Sequence, residues 1–72
     1  MSAAAMPLKE AQSWIDQQHA AGAKRIGVSC NPIRRKLYLV ADKGKLVLDC
    51  PTRRETRILK DILHDYIGRL ER

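Results

Sequence analysis

A small α+β domain is the fold class this sequence predicts. Its elements run α-β-β-β-α, a three-stranded antiparallel meander with both helices packed on one face. Three observations carry the prediction. Residues 36–50 hold two apolar-rich runs around a short glycine-containing break. Thr52 opens a long stretch with a wide apolar stripe. Residues 25–30 alternate polar and apolar directly after a glycine stop.

The first helix is expected from about Pro7 to Ala21. Proline is preorganised for the first helical position. Leu8, Ala11 and Ile15, with Trp14 and Gln18 beside them, recur at helical spacing. Gly22 supplies the stop, and residues 1–6 read as a flexible arm ahead of a single domain over 7–72. In the first strand Ile26, Val28 and Cys30 face one way and Arg25, Gly27 and Ser29 the other. Asn31-Pro32 ends it, because proline has no amide hydrogen for the ladder. Ile33-Arg34-Arg35 then completes a basic turn.

The hairpin joins Lys36–Ala41 to Lys45–Cys50 through Asp42-Lys43-Gly44, where Gly44 is expected to take the positive φ of a tight turn. A two- or four-residue loop sets Ala41 opposite Leu46 and Leu39 opposite Leu48. Leu37, Leu39, Leu46, Leu48 and Cys50 then share the core face, and Tyr38, Val40 and Val47 share the other with Lys36 and Lys45. A three-residue loop shifts the pairing by one and changes that division. In the second helix Thr52 and Glu55 fit a capping box. Ile58, Leu59, Ile62, Leu63, Tyr66, Ile67 and Leu70 form its stripe.

Charge is concentrated in the middle of the chain. The 72 residues carry a net charge of +6. Residues 24–60 hold eleven Lys or Arg against three acidic residues, whereas each flank is net negative by one. A field gathered this way favours an anionic partner. No apolar run approaches the roughly 18 residues of a membrane-crossing helix, so no membrane partner is expected. Two cysteines without a secretory signal point to free thiols and a reducing, cytoplasmic setting. In a meander Cys30 and Cys50 lie one strand apart, with Cα atoms roughly 9–10 Å apart, too far for a disulfide.

The residues that enzymes use are not arranged here for chemistry. His19 and His64 do not combine with the cysteines at metal-site spacing, and there is no glycine-rich phosphate loop. No nucleophile comes with a base and an orienting carboxylate. Asp61, His64 and Asp65 read as a solvated helix face. No catalytic residue, cofactor or metal is expected.

Two surfaces remain. Arg53, Arg54 and Arg57 crowd the first turns of the second helix, where the macrodipole disfavours each cation by about 0.3–1 kcal/mol. Lys60 continues that side. Arg34, Arg35 and Lys36 begin the second strand, at the sheet end from which the second helix departs. Together these seven residues are the candidate binding site, with Lys24 or Arg25 in support. The competing account is a solvated face held by Arg57–Asp61 and Asp65–Arg69 pairs. The second surface is the outer sheet face, where Tyr38, Val40 and Val47 form a candidate protein interface unless the first helix or the arm covers them.

The element order, and basic residues where Arg53, Arg54 and Arg57 stand, resemble double-stranded-RNA-binding domains. The lysine run and Gly-Pro-His loop of that family are absent. HicA-type toxins are similar in order and size but need a strand histidine, and residues 24–50 contain none. Lys36 to Leu63 resembles the arm-binding domains of phage-type integrases, with no recombinase domain following. The expectation is a non-catalytic module that contacts nucleic-acid phosphates. The alternative is a protein-interaction module, such as a small inhibitor or adaptor encoded by a phage or mobile element, bound to an acidic protein surface. Self-association into a homodimer is compatible with either, since a domain this small buries only about 60% of its unfolded surface.

Overall fold

The computed structural model describes residues 5–71, with side chains from Pro7 onward. Its elements are α1 (Ala5–Ala20), β1 (Ile26–Asn31), β2 (Lys36–Ala41), β3 (Gly44–Asp49) and α2 (Arg53–Leu70). The strands form one antiparallel sheet in the order β1-β2-β3. Both helices cover the same face of it, with α2 mainly over β1 and α1 against β3 and α2. The core follows from period-2 alternation meeting period-3.6 stripes. Leu37, Leu39, Ala41 and Leu48 of the sheet pack with Ala11 and Ile15 of α1 and Leu59, Leu63 and Ile67 of α2. Trp14 is partly buried against this cluster. No helix among the described residues is long and apolar enough to cross a membrane.

Four expectations need correction. Helix α1 begins at Ala5, so Ala5 and Met6 are helical rather than part of an arm, and the remainder of that arm lies outside the described residues. Pro7 is the third helical residue. It is tolerated because the first four helical amides have no intrahelical acceptor. The hairpin turns on Asp42-Lys43, which sets Ala41 opposite Gly44 and Leu39 opposite Leu46. That register differs from the expected one by an even number of residues, so the inward and outward faces are as predicted. Gly44 does not have positive φ; it is simply the first residue of β3. Ile58 and Ile62 are 46% and 41% exposed. A helix in a two-layer domain buries only the arc turned to the sheet and its neighbour, and these two stand outside that arc.

The end of α1 forms as Gly22 predicts. With φ at +89°, it lets its own N–H donate to the His19 carbonyl at 3.1 Å and the Ala23 N–H donate to the Gln18 carbonyl at 3.0 Å. These two bonds make a Schellman motif. The Lys43 ammonium donates to the Ala21 carbonyl at 3.0 Å, setting a cation at the negative end of α1. A Cβ at residue 22 meets no atom within 4 Å, so substitution there is opposed by backbone conformation alone. Gly22→Ala is expected to lower stability by about 1–2 kcal/mol, read as a drop in the urea midpoint at unchanged m-value. Gly22→Asn should lose less, because asparagine tolerates the left-handed region.

Asp42 fixes the other turn. Its carboxylate accepts the Lys24 N–H at 3.0 Å and the Arg25 N–H at 3.2 Å, tying the strand-one approach to the hairpin. These backbone bonds, first that from Lys24, hold its carboxyl below the ordinary carboxylate range. A depressed folded-state pKa stabilises the fold above the unfolded value of about 3.9, and that contribution is lost as pH falls through the folded value. The urea midpoint of wild type is therefore expected to fall below about pH 4. Asp42→Asn should start from a lower plateau and show a flatter acid limb. A mutant limb as steep as wild type would assign the acid loss to other carboxylates.

Both cysteines are free; Cys30 is half-buried and Cys50 buried. Burial pushes the Cys50 thiol above its ordinary range. It is a core thiol protected from reaction.

Candidate nucleic-acid interface

The N-terminus of α2 is built by Thr52, whose extended backbone leaves its hydroxyl to accept the Glu55 N–H at 3.1 Å. Only this half of the capping box forms. Glu55 is half-buried, and its Oε2 is buried without a hydrogen-bond partner. Thr56, fully buried, donates its hydroxyl to the Thr52 carbonyl at 2.7 Å and locks the first turn. Arg53, Arg54 and Arg57 remain exposed there and line a concavity of about 320 Å³.

The two basic clusters are brought to one end of the molecule. The Cys50 N–H donates to the Arg35 carbonyl at 2.8 Å. This bond fastens the β1–β2 turn to the segment that enters α2, three residues before Arg53. The turn itself is well specified. Asn31 Oδ1 accepts the Arg34 N–H at 3.3 Å, the Arg35 N–H donates to the Pro32 carbonyl at 3.2 Å, and Arg35 holds φ at +56°. Arginine in the left-handed region costs about 1–2 kcal/mol. Arg34 and Arg35 are exposed on this turn, beside an Ile33 that is 75% exposed.

Lys36 and Lys60 contribute less freely. Lys36 lies opposite Asp49 in the ladder and its ammonium pairs with that carboxylate. Lys60 is half-buried. Lys24 and Arg25 belong elsewhere, beside Asp42 at the far end of the sheet, roughly 17 Å away along a six-residue strand. Of the two helical ion pairs expected to neutralise the face, Asp65–Arg69 forms at 2.9 Å. Arg57 makes no ion pair among the described residues. The solvated-pair account thus covers the C-terminal half of α2 and leaves the N-terminal arginines unneutralised.

No family model matches this chain. Nor does any curated protein or any solved structure. The site is therefore read from its geometry.

The outer sheet face is not covered by α1, which packs with α2 on the opposite side. Val40 and Val47 are 53% and 48% exposed, and Tyr38, paired across from Val47, is half-buried. One feature is missed by reading Asp61, His64 and Asp65 as a uniform solvated face. Arg53, Arg57 and Lys60 recur at steps of four and three, so they form one cationic strip along the first half of α2, with His64 four residues further on. The spacing was the available signal.

Proposed function

We propose that this domain binds nucleic-acid phosphates through the exposed end formed by the start of α2 and the β1–β2 turn. Arg53, Arg54, Arg57, Arg34 and Arg35 make the contacts, and Lys36 and Lys60 add to the field. The observation that supports the reading is the backbone bond from Cys50 to Arg35, which ties the turn carrying Arg34 and Arg35 to the segment that enters α2 at Arg53. Guanidinium forks suit phosphate oxygens, and the helix dipole, unfavourable for the arginines alone, becomes favourable once an anion is bound. Such contacts position a duplex without reading its sequence. The described residues offer few exposed aromatics for stacking, which favours duplex over single strand.

The test is a titration of full-length protein with labelled random-sequence duplex DNA, and separately duplex RNA, across a salt series. Phosphate binding gives a log K that falls linearly with log salt, by about 0.9 per contact on B-DNA. A folded protein that binds neither duplex at low salt overturns the reading. The second reading is a protein interface on the outer face, favoured by the exposure of Val40 and Val47. An acidic protein partner would engage the same arginines.

A further inference from the structure

We infer that Ile33, at the corner of the β1–β2 turn, is an apolar wedge that enters a DNA duplex from the minor groove, opens one base step and bends the duplex. The inference rests on the phosphate-binding reading and deepens it. The partner becomes double-stranded DNA, and binding becomes sensitive to how easily the site deforms.

Ile33 is the most exposed large apolar side chain among the described residues, at 75%. A lone exposed isoleucine is ordinary on a protein surface; its setting here is not. The Arg35 N–H donates to the Pro32 carbonyl at 3.2 Å and closes a four-residue turn, with Ile33 and Arg34 as its central pair. Asn31 Oδ1 accepts the Arg34 N–H at 3.3 Å, and the ring of Pro32 fixes its own φ. The Cys50–Arg35 backbone bond then ties the turn to the rest of the domain. Ile33 is therefore presented from a backbone held on both sides.

The turn is also built from residues that its conformation does not ask for. Turns are ordinarily filled by Gly, Pro, Asn, Asp or Ser. Isoleucine and arginine hold the two central positions here. Arg35 follows at φ +56°, where glycine would carry no steric cost. Local stability explains neither the apolar tip nor the arginines beside it.

Together they are what a wedge requires. Proteins that kink DNA insert Ile, Leu, Phe, Met or Pro between base steps and recover the unstacking cost through added contacts to the bent duplex. The neighbours of Ile33 can make those contacts. Arg34 and Arg35 adjoin it and are exposed. Arg53 follows Cys50 by three residues, a span of at most roughly 11 Å. The minor groove is about 6 Å wide, too narrow for α2 and open to the tip of a turn. A-form RNA has a wide, shallow minor groove instead, which gives a wedge no slot. An apolar protein pocket would accept the isoleucine but gain nothing from the arginines, whereas a base step bordered by phosphates uses both.

The experiment measures energy transfer between the ends of a doubly labelled DNA duplex as full-length protein is added at low salt. Wild type should bend it by about 20–90°. A duplex with a central mismatch, already partly unstacked, should bind about tenfold more tightly than the matched one. Ile33→Ser, a change at an exposed position, should leave the urea midpoint in place. It should keep the wild-type salt slope, abolish the bend and bind matched and mismatched duplexes alike. Ile33→Leu should bend as wild type does. The wedge is overturned, with the phosphate reading intact, if wild type binds without bending or if Ile33→Ser bends the duplex equally. A folded wild type that binds neither DNA nor RNA duplex overturns both readings, and Ile33 with its arginines is then a contact for an acidic protein.

Discussion

Leu39→Ala is expected to remove a large share of the stability of this domain. Leu39 lies in the central strand, has no solvent exposure, and belongs to the cluster that both helices close over. Truncating a buried leucine costs about 2–5 kcal/mol, from lost transfer energy and the cavity left behind. A chain of this length has a total stability of only about 4–11 kcal/mol. The variant should therefore show a urea midpoint reduced by a third or more, followed through Trp14 fluorescence and far-ultraviolet circular dichroism. Val40→Ala, next in the same strand but 53% exposed on the opposite face, should change stability by less than about 0.5 kcal/mol. Similar losses at both positions would mean that the outer face is covered by something equivalent to the helices.

That contrast between neighbours was legible in the sequence, because side-chain direction in a strand depends only on parity. The faces of β1, β2 and β3 and the stop at Gly22 follow from local rules, and so does the Thr52 cap. What was not legible depends on bonds between distant residues. Asp42 accepts amides from Lys24 and Arg25. The hairpin turns on Asp42-Lys43, so the predicted register is wrong by an even slip while its faces are right. Ile58 and Ile62 carry the helical period but fall outside the arc that two layers can cover. The candidate site divides in the same way. Sequence placed the arginines at a helix start and a turn. The Cys50–Arg35 bond that makes the clusters neighbours, and the Lys36–Asp49 pair that occupies one expected cation, are tertiary.

This division gives the arginine prediction its internal control. On the proposed reading, Arg53/Arg54/Arg57→Ala should bind duplex DNA with a salt slope shallower than wild type by about 0.9 for each arginine that meets a phosphate, hence about 2.7 if all three do. The affinity loss should be largest at low salt and should not depend on base sequence, because phosphate contacts carry no sequence information. Stability should be unchanged or slightly raised, since three exposed cations leave the positive end of α2. Lys36→Ala should alter the slope far less, because its ammonium is held by Asp49 before any ligand arrives. Arg35→Ala should behave like one member of the triple, because the Cys50–Arg35 backbone bond survives the substitution. If Lys36→Ala and Arg57→Ala reduce the slope equally, binding follows net charge alone and the site is not localised to this end. If the triple variant keeps the wild-type slope, the arginines are not the phosphate contacts, and an acidic protein surface becomes the better account of why they stand unneutralised.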